Sequence, residues 1–204
     1  MRRILALWAL LLVGVSARAE TPLILVFGDS ISAGYGLPHV DEGWVELLKT
    51  RLSAQGYGYQ VVNASVSGET TAGGLARLPR ALDLHHPQIV VLELGGNDGL
   101  RALPIAQMRA NLAQMIDLSM AAGAKVLLLG MRMPPNYGPE FTAKFQEVYS
   151  GLAREKKLAW VPFLLDGIAL TPELLQGDDI HPNAQGQPIL LSNAWRGLAP
   201  LLKK

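Results

Sequence analysis

Leu23-Ile24-Leu25-Val26-Phe27-Gly28-Asp29-Ser30 sets five apolar side chains in a row, then a glycine, an acid and a hydroxyl. An unbroken apolar run, unlike an alternating one, fits a strand covered on both faces, as in a parallel sheet. Comparable runs recur at 60–63, 89–94, 125–130 and, more briefly, 158–161. Between them lie segments with helical spacing at 44–55, 71–84, 104–122, 140–156 and about 184–202. This alternation predicts one doubly wound α/β domain, with helices in layers on either side of a central five-stranded parallel sheet.

Upstream of the first run the composition changes. Arg2 and Arg3 precede an apolar stretch over 4–15, and Ala17-Arg18-Ala19 ends it with small residues around a cleavage point. That is the pattern of a secretory signal peptide over 1–19, and the apolar stretch is shorter than the roughly 20 residues a membrane span needs. Cleavage after Ala19 would leave one domain over 20–204, large enough for a full core. With no cysteine in the chain, neither a disulfide framework nor a lipidated N-terminal cysteine is available. Three of the 18 basic residues (Arg2, Arg3, Arg18) lie in the leader, which leaves 15 against 17 acids, a net −2. Such a balance argues against a nucleic-acid footprint or a polybasic membrane patch. The expected product is an exported, periplasmic protein without stable membrane insertion, and a monomer.

Chemistry concentrates where the strand-like runs end. Ser30 follows the first, Gly68 the second, Asn97 the third and 131–137 the fourth, while Asp178 and His181 precede the closing helix. Loops after the carboxyl ends of parallel strands share one edge, where ligands bind. Ser30 reads either as a nucleophile in a strand-to-helix turn or as a helix N-cap. A rival, Ser67, lacks the first glycine of a Gly-x-Ser-x-Gly elbow. At Gly68 the backbone N–H can approach a ligand with no side chain in the way. Asp178 and His181 are three residues apart, so one short loop delivers a carboxylate and an imidazole together; Asp179 competes for the carboxylate role. His39, His85 and His86 are weaker candidates, the last two suiting a helix end. Asn97 sits among Gly95, Gly96, Asp98 and Gly99, which alone reads as a turn. Asp29 and Asp98 read as parts of their turns. No glycine-rich phosphate loop and no metal-ligand spacing is evident, so no metal and no cofactor is expected.

Taken together, Gly28-Asp29-Ser30-Ile31, Gly68, Gly96-Asn97-Asp98 and Asp178-Asp179-Ile180-His181 stand in the order of the sequence blocks of the SGNH (GDSL) hydrolases. The chain resembles that family over essentially its whole mature length, and within it the bacterial arylesterase and multifunctional thioesterase/lysophospholipase group. Ile31 stands where many relatives have leucine, which preserves the apolar character. The resemblance implies a flavodoxin-like fold and hydrolysis of a small-molecule acyl ester or thioester without a cofactor. It implies Ser30 as nucleophile, His181 as base and Asp178 as its orienting acid. The oxyanion would be held by the Ser30 and Gly68 N–H groups and the Asn97 amide. Two apolar loops, one with Leu100, Arg101 and Pro104 and one with Met133, Pro135 and Tyr137, would wall an acyl groove or simply pack beneath the helices. Other members of the class would be a carbohydrate O-acetyl esterase, which needs a small polar pocket, or a non-catalytic acyl binder, which would have lost a triad member.

Overall fold

The computed structural model describes residues 21–204, so the leader expected over 1–19 lies outside the described residues. Five strands run in chain order: β1 (Leu23–Gly28), β2 (Gln60–Asn63), β3 (Ile89–Glu93), β4 (Lys125–Leu129) and β5 (Ala159–Val161). All pair in parallel, in the spatial order β2-β1-β3-β4-β5. Seven α-helices accompany them among the described residues: α1 (Ser30–Ala33), α2 (Trp44–Ala54), α3 (Thr71–His85), α4 (Gly96–Leu100), α5 (Ile105–Ala121), α6 (Pro139–Lys156) and α7 (Gln187–Leu198). One layer is formed by α3, α5 and α6, which pack side by side, and the opposite layer by α2 and α7. Burial from both sides explains the unbroken apolar runs: every residue of β3 is buried, and so are Ile24 through Gly28 of β1. Among the described residues no helix is long and apolar enough to cross a membrane.

The sheet's topology positions the site. From β1 the chain moves to β2 on one side, then returns to β3 on the other, so the strand order reverses between β1 and β3. Ligand crevices form outside the carboxyl ends of strands at such a reversal. The register pairs Gly28 with Glu93, which brings the turn carrying Ser30 beside the turn carrying Asn97.

The five strands fall where the sequence puts them, to within a residue or so. Three details differ. The Ser30 and Asn97 turns each wind into a short helix, α1 and α4, too brief to show apolar spacing. The last helix starts at Gln187 and not near 184, because the Asn183 side chain accepts the N–H groups of Gln185 and Gly186 and holds a turn there. Pro182 therefore lies before the helix, in a bridge with Leu175, and Pro188 takes the place in the first helical turn.

Candidate active site

β1 ends at Gly28 because nothing larger fits: a Cβ there would stand 2.5 Å from Glu93 Oε2 and 2.9 Å from Ser32 Oγ. The chain then turns, and the Asp29 carboxylate caps α1 by accepting the Ile31 N–H at 3.0 Å. Ser30 is thereby the first residue of a helix directly off a buried strand. Its Oγ lies 2.8 Å from His181 Nε2. His181 Nδ1 is 2.5 Å from Asp178 Oδ2, while Asp178 Oδ1 accepts the N–H groups of Ile180 and His181, each at 3.0 Å. With Nδ1–H given to Asp178, Nε2 is left to accept the serine proton. Asp179 makes no bond to the imidazole; it adopts φ +57° and its N–H goes to the Gln176 carbonyl.

The loop bearing His181 is fastened to the loop bearing Ser30. Gln176 donates its side-chain amide to the Tyr35 carbonyl at 2.8 Å and to the Pro182 carbonyl at 3.1 Å, and its backbone N–H to the His181 carbonyl at 2.8 Å. Tyr35 also sets its ring 4.7 Å from the imidazole, centroid to centroid.

Gly68 and Asn97 complete the arrangement. The loop after β2 is held against β1 by Ala64 N–H on the Val26 carbonyl and Val66 N–H on the Gly28 carbonyl. Glycine at 68 is required by conformation, not by space: φ is +78°, whereas an added Cβ would meet only Arg101 Nη2, at an ordinary 3.6 Å. Neither the Ser30 N–H nor the Gly68 N–H has an acceptor among the described residues. Asn97 donates Nδ2 to Asp29 Oδ2 at 3.1 Å. Neighbouring Asp98 instead braces α4 against α3, accepting the Thr71 N–H at 2.8 Å and hydroxyl at 2.5 Å.

Ser30, Gly68, Asn97, Asp178 and His181 all border one cavity of about 410 Å³. Leu100 and Met133 line it too. Arg101, Pro104, Pro135 and Tyr137 do not. The 3₁₀ turn Pro135–Tyr137 carries the fourth loop away from the cleft, and the Tyr137 hydroxyl donates to the Leu100 carbonyl at 3.0 Å, supporting that wall from behind. Arg101 reaches the Gly68 carbonyl at 3.0 Å, and Pro104 caps α5 in a separate shallow groove with Phe141 and Lys144. The opposite wall, Phe163, Leu165, Ala169 and Leu175, was not foreseen.

Two carboxyls at the site are displaced from ordinary values. Burial pushes Asp29 up to about 6, against the opposing pull of the Ile31 N–H, the His181 ring and the Asn97 amide. For Asp178 burial also acts upward, but the N–H groups of His181 and Ile180 and the imidazole outweigh it and bring the group down to about 2.

Comparison with known proteins agrees with this geometry. A model of the GDSL-like lipase/acylhydrolase family matches residues 26–189. The chain is 51% identical over 202 residues to esterase TesA of Pseudomonas aeruginosa, spanning 99% of this chain and all of that protein. It is 40% identical over 196 residues to thioesterase 1/protease 1/lysophospholipase L1 of Escherichia coli K12, spanning 96% and 91% respectively. A crystal structure of TesA superposes with a TM-score of 0.86 at 53% identity, over 88% of this chain and 99% of that one. The chain belongs to the GDSL-like lipase/acylhydrolase family. It is an enzyme, a serine hydrolase of carboxylic esters.

Proposed function

We propose that the protein hydrolyses acyl esters and thioesters, lysophospholipids among them, through an acyl-enzyme on Ser30. The observation that carries this reading is the chain of contacts Ser30 Oγ, His181 Nε2, His181 Nδ1, Asp178 Oδ2 at the mouth of a cavity whose other walls are largely apolar. Ser30 attacks the carbonyl carbon while His181 takes the hydroxyl proton. Asp178, anionic throughout the working pH range, stabilises the imidazolium that forms. The oxyanion sits against the Ser30 and Gly68 N–H groups and the Asn97 amide, donors fixed in place before the substrate arrives. His181 then returns its proton to the leaving alcohol or thiol, and water repeats the cycle on the acyl-enzyme.

Leu100 and Met133 on one side and Phe163, Leu165 and Ala169 on the other form the walls for the acyl chain. Arg101 and Tyr137 act behind those walls by bracing Gly68 and Leu100. The breadth of substrate follows the names of the relatives, which include an esterase, an arylesterase and a thioesterase/lysophospholipase. Residues 1–19 serve as an export leader removed after Ala19, and the mature enzyme works in the periplasm, where acyl-CoA is not at hand and oxygen esters are the physiological substrates, with thioester hydrolysis a capacity of the same site.

The deciding experiment is hydrolysis of p-nitrophenyl esters from acetyl to palmitoyl by the mature protein, with Ser30→Ala alongside. Serine-dependent turnover favouring medium or long chains is expected. Turnover restricted to acetyl would replace this reading with a small-acyl esterase, and serine-independent turnover would remove Ser30 from the chemistry.

A further inference from the structure

Behind Ser30 lie three carboxyl groups that the Ser30–His181–Asp178 chain does not use: Asp29, Glu93 and Asp98, with 2%, 0% and 3% of their surface exposed. None of them forms an ion pair with a Lys or Arg among the described residues. A buried carboxylate without a cation is costly, so such a group either keeps its proton or must be held by several N–H donors. Glu93 takes the first course. Burial, and then the charge of Asp29, push it well above the usual range, and its Oε1 has no hydrogen-bond partner among the described residues. Its other oxygen accepts the Asp29 N–H at 3.2 Å and the Ser32 hydroxyl at 2.7 Å, which props the turn from below.

Asp29 takes the second course, and each of its oxygens has a distinct donor. Oδ1 receives the Ile31 N–H and Oδ2 receives Asn97 Nδ2. That second bond bears on catalysis. A side-chain amide is a donor at one end and an acceptor at the other, and turning it over exchanges them. An amide turned the other way would put its oxygen where the nitrogen stands, facing both Asp29 and the substrate, and would repel an oxyanion. A carboxylate can only accept, so it holds the NH₂ end.

We propose that Asp29 is the positioning residue of the oxyanion hole: by accepting one Nδ2 proton of Asn97 it selects the amide orientation that aims the other proton at the space beside Ser30 Oγ. The proposal rests on the reading of Asn97 as an oxyanion donor. It differs from an ordinary N-cap role, which needs only Oδ1.

Asp29→Asn separates the two roles, because asparagine still supplies an acceptor for the Ile31 N–H but faces Asn97 with a competing donor. Steady-state kinetics on p-nitrophenyl butyrate would compare Asp29→Asn, Asn97→Ala and the double variant. Asp29→Asn is expected to lower kcat roughly ten- to a hundredfold with little change in KM, and Asn97→Ala about a hundredfold. Once Asn97 is absent Asp29 has nothing to aim, so the double variant should fall within about threefold of Asn97→Ala. Wild-type kcat in Asp29→Asn, or losses that multiply in the double variant, would overturn the proposal while leaving Asn97 in the hole. Wild-type kcat in Asn97→Ala would overturn both readings together. A measurement on the unaltered protein guards against a variant that does not fold: in an NMR titration the Asn97 side-chain ¹⁵N resonance should share its midpoint with the Asp29 carboxyl carbon. Midpoints that differ, with Asn97 following His181 instead, would count against the coupling.

Discussion

Two aspartates flank Ser30, and the protein holds them in opposite ways. Asp178 stands on a loop with its side chain 39% exposed and gathers three N–H groups from two residues, so it stays charged. Asp29 is buried in the turn from β1 into α1 with two donors and the Glu93 carboxyl beneath it, and burial raises it to about 6. One group is partly open to solvent and holds the imidazole; the other is buried beneath the turn and holds the Asn97 amide. The same side chain thus does two jobs, and the difference lies in donors and solvent, not in residue type.

The largest expected effect breaks the site on neither side but between them. Ser30→Ala should abolish ester hydrolysis while leaving the circular dichroism spectrum and unfolding temperature near those of the parent; full activity would place the nucleophile elsewhere. On the loop side, Asp178→Asn keeps the shape but no longer favours the required imidazole tautomer, and kcat should fall on the order of a thousandfold or more, read against unchanged stability. On the frame side, Asn97→Ala is expected to reduce kcat about a hundredfold with a smaller change in KM, and an equal rise in KM instead would mark it as a ground-state contact. In the cleft, Ala169→Phe should narrow the cavity that Ala169 and Leu100 both line and lower kcat/KM for octanoyl esters about tenfold relative to acetyl, measured as a ratio on one preparation.

The smallest effect concerns stability. The value of Asp29 in the folded protein lies above its ordinary 3.8, so folding disfavours its charged form. Its contribution is therefore fully present below about 3.8 and is lost as pH rises through about 6. Asp178 runs the other way: its stabilisation holds above about 3.8 and is lost as pH falls through about 2. Calorimetry of the parent and Asp29→Asn between pH 8 and 5 should show the parent gaining a few degrees on the variant as pH falls. A constant gap would mean that Asp29 titrates normally.

The frame and the loop also differed in how legible they were. Continuous apolar runs gave away the inner strands β1, β3 and β4, because a parallel strand covered on both faces has no polar side to confuse the pattern; the edge strands β2 and β5 are shorter and only partly buried. Asp178 and His181 could be paired from their spacing, since both groups ride on one short loop. Asp29 and Glu93 could not, because their meeting depends on the β1–β3 register, which no local pattern encodes. Glu93 did leave a trace: one ionisable residue inside an otherwise apolar run. The far wall of the cleft escaped for another reason. Residues 163–175 carry no periodic pattern, and only the place of β5 at the sheet edge brings them to the cavity. Arg101 and Tyr137 sit in the expected loops, but the direction of a side chain in a loop is decided by its hydrogen bonds, which sequence spacing does not record.

The fastening of the His181 loop has a consequence for the life of the chain before it is finished. His181 lies 151 residues beyond Ser30, and it is held there through Gln176 on the Tyr35 carbonyl and through Gln187, whose side chain accepts the Trp44 N–H at 3.0 Å. A nascent chain, a truncated fragment or a chain crossing a membrane unfolded therefore carries the serine without its base. Hydrolytic power appears only when the first and last parts of the polypeptide have met.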